Sequence, residues 1–156
     1  MEIRRAKRSD ARGIHEMHMR SIRTNCGSHY SDPEIKAWAG RAYNEAHRLR
    51  DVQNDYVLVL VEGDEILGYA HLSNDGELRA LYLDATVIGR GFGSELLALV
   101  EEEARIRGLS RIFLDSTLNA VDFYSHCGFT FTGDQHTIEI NGQRIRCVPM
   151  EKILRS

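Results

Sequence analysis

The chain has 156 residues, 42% of them hydrophobic and 28% charged, which suits one domain over residues 1–156 with a core of its own. A formal net charge of −3 with no basic stripe argues against a nucleic-acid partner. No apolar run approaches the roughly 20 residues of a membrane span, and Cys26, Cys127 and Cys147 are too scattered for a disulfide framework, so a reduced, cytoplasmic protein is expected.

The opening "MEIRRAK" reads as a short strand, with Ser9 or Asp10 capping the helix that follows. Ile14, Met17 and Ile22 give that helix an apolar face, and the polar segment "TNCGSHYSD" ends it. Ser31 or Asp32 before Pro33 starts a second helix, which carries Ile35, Trp38 and Ala39 and is expected to run toward Leu49. "DYVLVLVE", "ILGYAHLS" and "ELRALYLD" follow as three strands separated by turn sequences, an antiparallel meander.

Next comes "GRGFGS" and an amphipathic helix from about Gly91 to Arg107, with Phe92, Leu96, Leu97, Val100 and Ala104 on one stripe and Gly108 at its end. "RIFLD" is a buried strand joined to the meander through a helix, so it should lie parallel to strand 77–84. A short helix over Ala120 to Cys127 stops at Gly128, and a terminal hairpin turns at Asn141-Gly142. The order β-α-α-β-β-β-α-β-α-β-β describes a mixed sheet with helices, an α+β (α/β mixed) domain.

Glycines between a strand and a helix suit an anion, because the unpaired N–H groups and the dipole of the helix N-terminus point at it. Charged hydrogen bonds of about 1.5–3 kcal/mol each outweigh a dipole contribution of about 0.3–1 kcal/mol, so the backbone N–H groups decide what binds. A nucleoside-triphosphate loop needs lysine after its last glycine, whereas Glu95 and Leu96 follow here. The dinucleotide fingerprint fails at its third glycine and should open a βαβ unit. Coenzyme A pyrophosphate is a third reading.

At this point a resemblance becomes specific. "VIGRGFGSELLALVEEEARIRG", followed by "IFLDSTLNAVDFYSHCGFTFTG", resembles the GNAT superfamily of N-acetyltransferases, whose loop is Gln/Arg-x-x-Gly-x-Gly/Ala. Gly91 and Gly93 match its small positions, while Ile88 departs from the Gln/Arg position, which in the family mainly offers its backbone N–H. Asn119-Ala120, Phe123-Tyr124 and Gly128-Phe129 match the second motif, and "HYSDPEIKAWA" resembles the acceptor-side segment of some bacterial members.

The resemblance implies a GNAT-like fold, mostly antiparallel with a central parallel pair, and acetyl-coenzyme A as co-substrate. It implies direct attack by a primary amine, carried by a small molecule or a peptide. Coenzyme-binding residues are then Leu81, Tyr82, Leu83, Ile88, Gly89, Arg90, Gly91, Phe92, Gly93, Ser94, Asn119 and Tyr124. Tyr124 would protonate the departing thiolate, the strand-end N–H groups at Leu81 to Leu83 would hold the oxyanion, and Glu77 or His71 would take the amine proton. His29, Tyr30 and Trp38 would shape the acceptor cleft. His15-x-x-His18 lacks a third ligand, so no metal is expected, and a homodimer through terminal strands is a further implication. A catalytically silent acyl-coenzyme A-binding module is the competing reading.

Overall fold

The structure is a computed structural model and describes residues 1–155. β1 (Glu2–Arg5) leads into three helices, α1 (Ala11–Asn25), α2 (Asp32–Ala39) and α3 (Glu45–Asn54). The meander is β2 (Tyr56–Glu62), β3 (Glu65–Leu72) and β4 (Leu78–Leu83), followed by α4 (Phe92–Ile106), β5 (Arg111–Thr117) and α5 (Val121–His126). β6 (Thr130–Phe131), β7 (His136–Ile140) and β8 (Gln143–Ile153) complete the chain. The mixed α+β class stands, with one helix and one short strand beyond the expected order.

Three local readings change. Asp10 does not cap α1; its carboxylate turns back to accept from the Lys7 N–H at 2.7 Å and from the Arg4 guanidinium at 2.7 and 3.1 Å. Ser31 caps α2, its hydroxyl accepting from the Glu34 N–H while the Glu34 carboxylate accepts from the Ser31 N–H. α2 stops at Ala39 instead of running toward Leu49. At Gly40 a Cβ would lie 2.5 Å from the Lys36 carbonyl oxygen, so only glycine allows that turn. The Asn44 side chain then accepts from the His47 N–H and begins α3.

The strands form two antiparallel four-stranded sheets, one in the order β1-β2-β3-β4, the other β5-β8-β6 with β7 also paired to β8. α1 lays Ile14 and Met17 against Val57, Val59 and Tyr69 on one face. α4 lays Leu96, Leu97 and Val100 against Leu58, Ala70, Leu72, Ile112 and Leu114 on the other. β4 and β5 are parallel as expected, yet their ladder is reduced to a single bridge between Glu77 and Phe113. The sheets therefore touch near the start of both strands and part toward Leu83 and Thr117. That opening, outside the C-terminal ends of two parallel strands, is where a crossover topology leaves room for a ligand.

Candidate active site

The wedge between β4 and β5 holds a cavity of about 430 Å³. Its walls are the end of β4 (Leu81, Tyr82, Leu83), the glycine loop (Ile88, Gly89, Gly91, Gly93, Ser94) and the start of α5 (Asn119, Phe123, Tyr124). Ten of the expected coenzyme-binding residues thus meet in one place. Arg90 and Phe92 do not line it: Phe92 packs beside Leu60, Leu67 and Val87, and the Arg90 guanidinium lies 5.4 Å over its ring. Ser21 and Asn25 of α1 and Cys26 just after it also line the wall and carry no motif that sequence reading could use.

The loop is held from both sides. The Asp84 carboxylate accepts from the Thr86 N–H and hydroxyl, and pairs with Arg20 of α1 at 2.7 Å. Together the bonds from Thr86 and Arg20 keep that carboxyl below its usual range, against the opposing effect of burial. Gly89 and Gly91 adopt φ of 79° and 88°, and a Cβ on either would meet no heavy atom within 4 Å. Left-handed backbone explains why these positions are glycine. Gly91 caps α4, and the first helical bond runs from the Glu95 N–H to the Gly91 carbonyl, which leaves the N–H groups of Phe92, Gly93 and Ser94 for an anion.

The free edge of β4 offers a second set of donors. The Asp84 N–H donates to the Leu67 carbonyl on β3, and Leu83 sits opposite Gly68. N–H groups alternate sides along an antiparallel strand, so those of Leu81 and Leu83 face away from β3 while that of Tyr82 faces it. The Leu83 carbonyl confirms this direction by accepting from the Asn25 amide at 2.9 Å across the wedge. Tyr124 is buried to 6% exposure beside Phe123 and Phe129, and its hydroxyl makes no hydrogen bond to the described residues. Burial raises its pKa, so at neutral pH it is a phenol with a proton to give.

The thiols are poor nucleophiles. Burial pushes Cys26, on the cavity wall, up to about 12, and it also raises Cys127. His126, the imidazole next to Cys127 in sequence, has its Nδ1 bonded to the Asp122 carbonyl.

Two further cavities lie on the other side of Tyr82. The first, about 190 Å³, is lined by Tyr30, Trp38, Glu77, Asp115, Thr117, Arg146 and Cys147. It shares Tyr82 and Thr117 with the wedge. The Tyr30 hydroxyl donates to the Arg146 carbonyl at 2.5 Å and accepts from the Leu118 N–H at 3.0 Å, with Trp38 edge-on to its ring. Burial takes its phenol to about 12. His29 lies outside all three cavities; its carbonyl accepts from Arg146 and its ring meets Ser28. Glu77 is present in this cavity, paired with Arg79 at 3.2 Å. His71 is not: it opens on the second of these cavities, about 340 Å³, bonded to Asp55 at 2.7 Å. Its partner is a neighbour across the β2 start, and Tyr124 lies on a different wall.

The terminal hairpin adds residues that sequence reading missed. Asn141 and Gly142 both take positive φ, the two-residue turn their sequence predicts. Counting back from that turn pairs Ile140 with Gln143, Ile138 with Ile145 and His136 with Cys147. His136 Nε2 lies 3.3 Å from the Cys147 Sγ and 3.2 Å from Asp115. Burial first, then Asp115, raises the Cys147 thiol to about 11. Asp115, His136 and Cys147 offer donor atoms within 4.8 Å of one another, as do Asp51, Asp55 and His71, so either trio has the composition of a divalent-metal site.

Comparison with known proteins fits this geometry. A family model described as an acetyltransferase (GNAT) domain matches residues 26–154. No curated protein matches the chain. Among solved structures, a GCN5-related N-acetyltransferase from Rhodopseudomonas palustris is 25% identical with a TM-score of 0.91, over 98% of this chain and 95% of that one. The PaiA N-acetyltransferase from Thermoplasma acidophilum, solved with coenzyme A, is 21% identical with a TM-score of 0.77, over 98% of each chain. A ribosomal-protein-alanine N-acetyltransferase from Brucella melitensis is 20% identical with a TM-score of 0.73, over 99% of this chain and all of that one, and like PaiA it shares the fold. No helix of the described residues is long and apolar enough to cross a membrane. With its family model spanning most of the sequence, the chain belongs to the GNAT acetyltransferase family and is an acetyl-coenzyme A-dependent N-acetyltransferase.

Proposed function

We propose that the protein transfers an acetyl group to a primary amine by direct attack within a ternary complex. The wedge is the donor site: its free N–H groups at Phe92, Gly93 and Ser94 suit a pyrophosphate, and Asn119 stands across the cleft. The observation that carries the reading is Tyr124, a buried phenol opening on the same cavity as the free edge of β4. The coenzyme A in the PaiA structure, on the same fold, supports the donor assignment.

In the reaction the amine nitrogen bonds to the acetyl carbon and the carbon–sulfur bond breaks. The N–H groups of Leu81 and Leu83 face the developing oxyanion. Tyr124 gives a proton to the leaving thiolate. Glu77, in the cavity next to Tyr82, receives the amine proton through water; His71, engaged by Asp55 in another cavity, is set aside for this role. Raised thiol pKa values at Cys26 and Cys127 favour direct attack over an acyl-cysteine route.

Release of free coenzyme A thiol from acetyl-coenzyme A across a panel of amines and peptides tests the activity. Tyr124→Phe should lower kcat about 100-fold or more, the range for general acid–base catalysis, while the acetyl-coenzyme A Kd changes little. Unchanged turnover would remove Tyr124 from the mechanism. Tight binding with no release from any acceptor would instead identify a silent acyl-coenzyme A module.

A further inference from the structure

The cavity between α1, α3 and β3 has a charge imbalance that the transfer chemistry does not use. Arg41 and Arg48 both line it, and among the described residues neither has a carboxylate within ion-pair distance. Arg41 is half-buried and gives its Nε–H to the Trp38 carbonyl at 3.0 Å. Burial lowers its pKa, and Arg48 pushes the same way. The acids nearby are committed elsewhere: Asp51 to His47 at 3.5 Å, Asp55 to His71, and Glu77 to Arg79.

Hydrogen bonding fixes what the neighbouring imidazoles present. Arg48 can only donate, and its Nη2 lies 3.1 Å from His15 Nδ1 and 3.2 Å from His18 Nδ1. Both Nδ1 atoms therefore accept, so both rings are neutral and carry hydrogen on Nε2. The Tyr69 hydroxyl, 2.8 Å from His18 Nδ1, shares that one lone pair with Arg48 as a second hydrogen-bond donor. His15 Nε2–H finds the Arg41 carbonyl at 3.0 Å. His18 Nε2–H finds nothing: it is a donor on a residue 7% exposed, with no partner. An orphaned buried donor and two uncompensated guanidinium groups are costly features for a fold to keep without a ligand. The two guanidinium groups, which line the cavity, lack an anionic oxygen.

Position then says which molecule brings it. His18 and Arg41 line both cavities, and the His18 ring lies tilted against Tyr82, which lines both the smaller cavity and the wedge, at 4.1 Å between centroids. We propose that the acceptor amine carries an anionic oxygen group, carboxylate or phosphate, which binds Arg41 while the amine reaches past Tyr82 toward the wedge. This rests on the amine-transfer reading above. Arg41 is here a substrate-binding residue, and Arg48 positions the two imidazoles.

Matched acceptors test the idea with the intact protein. Coenzyme A release is compared for 4-aminobutanoate against its primary amide, and for 3-aminopropylphosphonate against propylamine. The anionic member of at least one pair should show a kcat/KM about tenfold or more above its neutral partner, and the pair that responds tells carboxylate from phosphate. Arg41→Gln should erase most of that preference through KM, with the acetyl-coenzyme A Kd retained, and Arg41→Lys should keep part of it. Neutral amines matching or exceeding the anionic ones, or an undiminished preference in Arg41→Gln, would overturn the assignment. If no amine releases coenzyme A, the transfer reading fails and the anion site is judged on its own. Titration of ¹⁵N-histidine-labelled protein with inorganic phosphate and with acetate should then shift the His18 ring resonances in the parent and not in Arg41→Gln. Unmoved resonances would reject the site.

Discussion

The two sides of Tyr82 are built by different means. On the donor side the ligand-facing groups are mostly backbone: the N–H groups opening α4, the free edge of β4, and glycines whose conformation keeps the loop open. On the proposed acceptor side they are side chains drawn from α1, the α2–α3 link, α3, β3, β4, β5 and the β7–β8 hairpin, and several carry charge. A backbone cradle depends on local chain geometry and tolerates many side chains. A charged side-chain cavity depends on which residues the fold brings together from far apart, and single substitutions can re-aim it.

The donor side nonetheless leans on one long-range contact, and removing it gives the largest effect expected. Lys152 of β8 pairs with Glu101 of α4 at 2.6 Å and donates to the Cys127 carbonyl after α5 at 2.8 Å, tying together the two helices that flank the wedge. Glu101 is 7% exposed and the Lys152 side chain 26%. Glu101→Ala leaves the ammonium short of its counter-charge. The cost falls between the 0–1 kcal/mol of an exposed pair and the 3–5 kcal/mol of a buried one, about 2–3 kcal/mol. Denaturant unfolding should show that loss, together with weaker acetyl-coenzyme A binding. A variant as stable as the parent would mean that the donor side is held by its local geometry alone.

Gly91→Ala acts on the local geometry itself. Forcing alanine to φ near 88° costs about 1–2 kcal/mol, and the new methyl faces open space beside the helix N-terminus. Acetyl-coenzyme A affinity should fall severalfold, by calorimetry, with the acceptor KM unchanged. An acceptor effect as large as the coenzyme effect would blur the division drawn above.

Much of the donor side was legible in sequence because its determinants are contiguous. Gly89, Gly91 and Gly93 announce a loop, the stripe from Leu96 to Ala104 announces the helix behind it, and Asn119 lies just before the next short helix, which carries Tyr124. Each signal spans a dozen residues or fewer. Membership of a motif does not say which way a side chain points: Phe92 packs its ring beside Leu60 and Val87, leaving only its backbone toward the loop.

The acceptor side has no such contiguity. Arg41 reads as an ordinary charge after Gly40, and only the break between α2 and α3 brings it to His18. Reading one long helix there hid it. His71 looked available because alternation along β3 cannot show Asp55 waiting beside it. His136 was within reach of counting from the Asn141-Gly142 turn, which fixes its pairing with Cys147.

Tyr30 links the two sides and offers a finer test. Its hydroxyl bonds both Arg146 in the acceptor wall and the Leu118 N–H just before Asn119. Tyr30→Phe leaves the Leu118 N–H without that acceptor, a loss of about 1–2 kcal/mol within the range for an unmade buried hydrogen bond. Acceptor KM should rise while acetyl-coenzyme A affinity falls less. Equal losses on both sides would make Tyr30 a general structural strut.

The smallest effect is one of pH. Burial first, then the charge of neighbouring arginines, lowers the pKa of His15 and, more strongly, of His18 below the ordinary 6.5. Both rings are neutral in the fold, and protonating either would put a cation against Arg48. In the unfolded chain the same imidazoles take up protons near pH 6.5. Between that pH and the lower folded values the unfolded state binds more protons, so stability rises with pH there. Their contribution is complete above about pH 6.5 and is lost as pH falls toward the folded values. Urea midpoints measured from pH 8 to pH 5 should be flat above 7 and decline below 6.5, and His18→Gln should flatten the decline more than His15→Gln. A decline that starts only below pH 5, where carboxylates titrate, would mean that neither imidazole is held neutral by Arg48.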